Sequence, residues 1–169
     1  MLIAHLLDHP ALAELDLSHN VISDRGARAL GKLLNGHSQL TRLALPNNCI
    51  RAAGARAIAH ALARNSTLRS LDVRLNELGD DGAEAICGAL LHNASLLDVV
   101  LAGNELTEHT APVVCQLITT NSTLTSIDLS CNRLGQVSGV LSATGGGNFR
   151  YRNVITEVGL KNCSNNFTT

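Results

Sequence analysis

An α/β solenoid of 28-residue repeats, a horseshoe with a concave parallel sheet and convex helices, is what this sequence predicts. Three observations predict it. The pattern L-x-x-L-x-L-x-x-N-x-L occurs five times, beginning at Leu12, Leu40, Leu68, Leu96 and Leu124. Each copy closes on an asparagine, Asn20, Asn48, Asn76, Asn104 or Asn132, so the 28-residue period never slips. Between copies lies a pattern with apolar residues at i, i+3 and i+7, which makes one buried stripe on a helix. A fixed period of about 20–29 residues with this signature is that of a leucine-rich-repeat solenoid.

The elements of a repeat follow in order. Alternation as in Glu14-Leu15-Asp16-Leu17-Ser18 predicts a strand with leucines inward and polar residues outward. Only Val73, Val99 and Ile127 replace leucine inside the strands. A turn through the asparagine follows, then a glycine six residues on: Gly26, Gly54 and Gly82, with Thr110 breaking the series. The helical stripes are Ala27/Leu30/Leu34, Ala55/Ile58/Leu62, Ala83/Ile86/Leu90 and Ala111/Val114/Ile118. Parallel strands stack about 4.8 Å apart, whereas helices are about 10 Å across, so the stack bends with its strands inside. The repeat asparagines, each with donors and an acceptor, are expected to satisfy backbone groups that the turn leaves unpaired.

The ends depart from the template. Residues 1–11 match the end of a preceding repeat, with Leu2 and Leu6 standing 28 residues before Leu30 and Leu34. The first strand should therefore present a bare solenoid end, as in a fragment or truncated isoform. The repeats run over 12–142. Composition shifts near residue 143: a Gly145-Gly146-Gly147 run breaks helices, and every aromatic residue, Phe149, Tyr151 and Phe167, falls in the tail. Residues 143–169 read as a divergent tail: either a segment of separate origin, disordered or splice-derived, which the sequence favours, or a divergent cap over the last repeat.

Composition narrows the function. The chain has 169 residues, 45% of them apolar, and a net charge of −1. No global field favours nucleic acid or an anionic membrane, and the repeats hold no aromatic platforms for base stacking. No run reaches the roughly 18 apolar residues of a membrane span. Met1 to Leu7 is short for a signal-peptide core and lacks a basic flank, so a cytosolic compartment is expected. Five cysteines form no C-x-x-C pair. Cys87 and Cys115 hold the same position in adjacent helices, about 8–10 Å apart, and should be buried, reduced thiols. Cys49 and Cys131 flank repeat asparagines as small thiols, and the odd total suits a reducing compartment.

Enzymatic chemistry has no foothold in the pattern. The seven histidines do not cluster, and neither a zinc-ligand spacing, a nucleophile elbow nor a phosphate loop occurs. No catalytic residue, metal ligand, cofactor or small-molecule substrate is assigned. Sequons at Asn65, Asn93 and Asn121 recur at the repeat period, between helix and strand, where asparagine serves as a helix C-cap. Two more stand at Asn162 and Asn166.

Protein binding is the expected function of such a scaffold. Outward strand residues form three ladders: Glu14, Arg42, Ser70, Asp98, Ser126; then Asp16, Ala44, Asp72, Val100, Asp128; then Ser18, Pro46, Arg74, Ala102, Ser130. The concave face they make is mildly acidic and lacks aromatic anchors. Charge along the arc is more informative. Residues 25–74 hold nine Lys/Arg and one acid, whereas residues 75–132 hold eight Asp/Glu and no Lys/Arg. Arg51, Arg56 and Arg64 represent the basic half on the helical side, and Asp80, Asp81 and Glu84 the acidic half. Such a bipolar object prefers differently charged partners at its two ends.

Two resemblances sharpen this. The unit NELGDDGAEAI, Asn76 to Ile86, resembles the ribonuclease-inhibitor-like class of leucine-rich repeats, and the match extends over residues 2–135. Segments Leu6 to Leu30 and Asn121 to Gly135 resemble the subunit 5 family of the nexin–dynein regulatory complex, also called t-complex-associated testis-expressed proteins. That resemblance implies a non-enzymatic axonemal scaffold of motile cilia and flagella, in the cytoskeleton, whose partners are other subunits of the complex and which supports regulated dynein motility. The alternative is a leucine-rich-repeat fragment of a cytosolic innate-immune sensor or of a small-GTPase activator. Restriction of expression to ciliated tissue and testis would separate the two.

Overall fold

The computed structural model describes residues 11–36, 39–134 and 150–152. Strands and helices alternate. The elements are β1 (Glu14–Asp16), α1 (Ser23–Gly36), β2 (Arg42–Ala44), α2 (Ala52–Leu62), β3 (Ser70–Asp72), α3 (Gly79–Leu90), β4 (Asp98–Val100), a 3-10 turn (Glu108–Thr110) running into α4 (Ala111–Thr120), and β5 (Ser126–Asp128). A further strand, β6 (Arg150–Arg152), comes from the tail. All strands lie in one sheet in chain order, β1 to β6, and every pairing is parallel. This is the expected leucine-rich-repeat solenoid.

Register follows the repeat. Leu15, Leu43, Leu71, Val99 and Ile127 stand side by side at the strand centres. Leu43, Leu71, Val99 and Ile127 are buried, whereas Leu15 on the edge strand is partly exposed, as are Leu12, Leu17 and Ile22. The first repeat is thus less fully packed than the repeats that follow it. The tail, expected to stand apart from the repeats, contributes β6 beside β5; the rest of it lies outside the described residues, as do residues 1–10.

The helical stripes bury as expected through α3: Ala27, Leu30, Leu34, Ala55, Ile58, Leu62, Ala83, Ile86 and Leu90 are all core. In α4 the buried residues are Ala111, Val114 and Leu117, and Ile118 is only partly covered. Among the described residues α4 is the last helix of the stack.

The glycine at the head of each helix has a steric cause. A Cβ at Gly54 would lie 2.6 Å from Asp24 Oδ1 and 2.7 Å from Ile50 Cγ2. Thr110 occupies the same repeat position and is accommodated because its hydroxyl donates to the Asp80 carboxylate. The chain there opens with a 3-10 turn, and Pro112 sits in the first turn of α4, where its missing N–H costs nothing.

A two-repeat alternation overlies the single repeat. Asp24 Oδ1 accepts from Arg51 N and Gly54 N, both at 2.8 Å, so the first repeat caps the helix of the second. Asp80 repeats this on the fourth, accepting from Thr107 N at 2.7 Å and Thr107 Oγ1 at 2.6 Å. The equivalent residues in the second and fourth repeats are Ala52 and Glu108, and α3 has no side-chain N-cap. The concave face alternates likewise. Asp16, Asp72 and Asp128 each accept the N–H two residues on, from Ser18, Arg74 and Ser130, while Ala44 and Val100 lie between them.

Candidate protein-binding surfaces

Two ladders of asparagine support the surfaces. In the expected one, Asn76 Nδ2 donates to Leu45 O and Val73 O, each at 2.9 Å, while its Oδ1 accepts from Asn48 N and Ile50 N, each at 3.0 Å. Asn132 does the same between the fourth and fifth repeats. The second ladder consists of the sequon asparagines. Asn93 Nδ2 reaches back to Leu62 O at 2.8 Å and Asn65 O at 3.0 Å, and its Oδ1 accepts from Ser95 N and Leu96 N. Asn65 and Asn121 make the same kind of bridge. Only Asn121 is itself a helix C-cap, with extended backbone; α2 and α3 are capped by Ala63 and Leu91, and Asn65 and Asn93 follow two residues later. The sequence shows these asparagines at the repeat period, but their bridging role spans about one repeat and is visible only in the fold. Asn65 and Asn93 are buried, with amides already engaged.

The cysteines divide by environment. Cys87 is fully buried, and burial pushes its thiol up to about 12. Cys115, on α4, is free but only half-buried. Cys49 is free and exposed. Cys131 was expected to be a thiol like Cys49; it is instead disulfide-bonded.

On the concave face the expected ladders hold their register. Glu14, Arg42, Ser70, Asp98 and Ser126 lie in one row, and Asp16, Ala44, Asp72, Val100 and Asp128 in the next. The charges do not all stand free. Arg74 Nε lies 2.9 Å from Asp72 Oδ2, and this hydrogen bond holds the guanidinium more firmly protonated than usual. Asp98 and Asp128 add to that effect from neighbouring repeats. Ser18 holds the Asp16 carboxyl below its ordinary value through side-chain and backbone hydrogen bonds. The face is thus mildly acidic, with Arg74 paired to Asp72.

The helical side carries the larger contrast. Arg51 and Arg64 flank α2 and Arg56 lies within it, while Asp80, Asp81 and Glu84 lie in the first half of α3. The two halves meet in ion pairs: Arg51 Nε to Glu77 at 2.8 Å and Arg56 to Asp81 at 3.7 Å. These pairs are well exposed and contribute about 0–1 kcal/mol each. Asp80 proves to be a structural group rather than a free surface charge. Burial acts to raise its pKa, but the hydrogen bonds from Thr107 and Thr110 outweigh burial and hold the carboxyl low. Arg25, Arg28 and Lys32 belong to the same basic half and are exposed on α1, where the repeat sets Arg28 beside Arg56 and Lys32 beside His60.

Among the described residues no group of three His, Cys, Asp or Glu side chains is placed to hold a metal, and no helix is long and apolar enough to cross a membrane.

Known proteins match this picture. A family profile described as leucine rich repeat matches residues 10–31, 64–87 and 120–140. Dynein regulatory complex subunit 5 of Mus musculus is 75% identical over 32 residues, which is 19% of this chain and 6% of that protein. The Macaca fascicularis subunit is 68% identical over 34 residues, 20% of this chain and 7% of that protein. The Homo sapiens subunit is 64% identical over 33 residues, with the same two shares, 20% and 7%. The matched stretch thus spans only 6–7% of the length of these relatives. Among solved structures, actin-binding site 2 of leiomodin-1 superposes with a TM-score of 0.71 at 22% identity, covering 83% of this chain and 81% of that one. The tropomodulin C-terminal domain of Caenorhabditis elegans also gives 0.71, at 19% identity, covering 84% and 87%. At such identities these two neighbours speak for the fold alone. Repeat pattern, sheet topology and family profile agree that the chain is a leucine-rich-repeat protein, similar over a short stretch to dynein regulatory complex subunit 5.

Proposed function

We propose that this chain is a non-enzymatic scaffold of the nexin–dynein regulatory complex in the axoneme of motile cilia and flagella, where it binds other subunits and supports regulated dynein motility. The observation that carries the reading is the identity of 64–75% to dynein regulatory complex subunit 5 over 32–34 residues. The bipolar surface supports it: a scaffold between proteins needs separate faces, and opposite charge at the two ends assigns them to different partners. The concave residues Glu14, Asp16, Arg42, Asp72, Arg74, Asp98 and Asp128 form a third surface for contact.

The test is co-precipitation from ciliated cells, together with localisation of the tagged chain. Wild type should enter axonemes and recover subunits of the complex. Reversing Arg51, Arg56 and Arg64 to Glu should release one subunit and spare another. Reversing Asp81 and Glu84 to Lys should do the opposite. Asp80 is left intact because its carboxylate caps the fourth repeat. A chain that stays diffuse in ciliated cells and recovers no axonemal protein would sink the reading.

A further inference from the structure

The outer face of α1 and α2 carries two rows of basic residues. Arg25, Arg28 and Lys32 stand at i, i+3 and i+7 along α1, a stripe about 10 Å long at the helical rise of about 1.5 Å per residue. The repeat places Arg56 beside Arg28 and His60 beside Lys32, and Arg64 extends the second row just past the end of α2. The two helices lie close. A Cβ at Gly31 would come within 2.8 Å of the Ala57 carbonyl oxygen, so the missing side chain lets the backbones approach and draws the two basic rows together on either side of the seam. Arg25, Arg28, Lys32 and Arg64 are exposed, and among the described residues they join no ion pair. The one acid in the first turn of α1, Asp24, is turned to the Arg51 and Gly54 amides.

The array has a sharp edge. At the border of α2 and α3 the pairs Arg51–Glu77 and Arg56–Asp81 close it, and residues 75–132 beyond hold no Lys or Arg. A broad polyanion such as duplex DNA or an anionic bilayer would overlie Asp81 and Glu84 as well as the cations, and like charges brought together resist docking. A narrow acidic partner would not. Two rows about one helix diameter apart, each with residues at helical spacing, match carboxylates on one face of a single helix.

We infer that the seam between α1 and α2 binds an acidic α-helix of a partner protein, laid along the two helices with its carboxylates against Arg25, Arg28, Lys32 and Arg64. This deepens the scaffold reading by naming a surface and the chemistry of one partner.

The test uses the purified full chain and a fluorescent alanine-rich peptide with glutamates at i, i+4, i+7 and i+11. Its comparators are a scrambled peptide of equal charge, duplex DNA, and vesicles containing phosphatidylserine. At low salt the patterned helix should bind best, and added salt should weaken it. A variant carrying Arg25→Gln, Arg28→Gln, Lys32→Gln and Arg64→Gln should bind at least roughly tenfold more weakly while melting like wild type, because rim charges set association more than folding. The variant Asp81→Asn, Glu84→Gln should bind as tightly as wild type or tighter. No peptide binding, unchanged binding by the folded quadruple variant, or preference for scrambled peptide, DNA or vesicles would each overturn the inference. None of these measurements involves a cilium. A wild-type chain that binds the helix but never enters axonemes would therefore defeat the scaffold assignment and leave the helix-binding seam standing.

Discussion

Asn76 Oδ1 accepts the backbone amide of Ile50, in the repeat before it, at 3.0 Å, together with that of Asn48 at the same distance. One repeat further, Asn104 Oδ1 is buried without such a donor, although Asn104 Nδ2 still donates to Val73 O and Leu101 O. Asn76→Leu should leave two amides unpaired, at about 1–3 kcal/mol each. Asn104→Leu strands no amide and should cost less. Urea unfolding of both variants checks the order. Equal losses would mean that the alternation of the ladder carries no energetic weight.

Position within the stack should grade the cost of an emptied core site. Leu71 is fully buried between neighbours on both sides, while Leu15 holds the same repeat position on the edge strand and is partly exposed. Leu71→Ala should cost about 2–5 kcal/mol. Leu15→Ala should cost clearly less, because its side chain is already partly exposed. Chemical denaturation with a constant m-value decides it.

Asp80 should make stability sensitive to acid. Its carboxyl titrates below the ordinary range in the folded chain, through the hydrogen bonds from Thr107 and Thr110 that overcome burial. A lowered folded pKa contributes stability that is fully present above the unfolded value of about 3.9 and is lost as pH falls through the folded one. Asp80→Asn should therefore be less stable than wild type at neutral pH and converge with it at strong acid. Thermal melts across that range test this. Parallel pH curves for the two proteins would rule out the cap as the source.

Thiol chemistry should report burial directly. Exposed Cys49 should react quickly with a maleimide at neutral pH. Cys87, buried and with its thiol pushed up to about 12, should react only on unfolding. Mass spectrometry of peptides after timed labelling gives both rates. Comparable labelling of the two under native conditions would contradict the packing of α3 against the sheet.

What the sequence determined by itself is whatever the repeat prints at every turn. The strand centres, the helical stripes, the row of Asn48, Asn76, Asn104 and Asn132, and the concave ladders were all legible, because an unbroken spacing of 28 residues puts like residues in like places. The same spacing revealed the charge split. The tertiary structure decided relationships that cross from one repeat to the next. Asp24 caps Gly54, Asp80 caps Thr107 and Thr110, Asn93 bridges Leu62 and Asn65, and Arg51 meets Glu77, over separations of 26 to 31 residues. Local propensity is silent about such pairs. A carboxylate at the start of one helix looks like an exposed first-turn charge until the stacking of repeats brings the amides of the next helix against it. That is why Asp80 read as surface and proved structural. The basic rows of α1 and α2 were legible from the period, and only the close approach at Gly31 needed the fold.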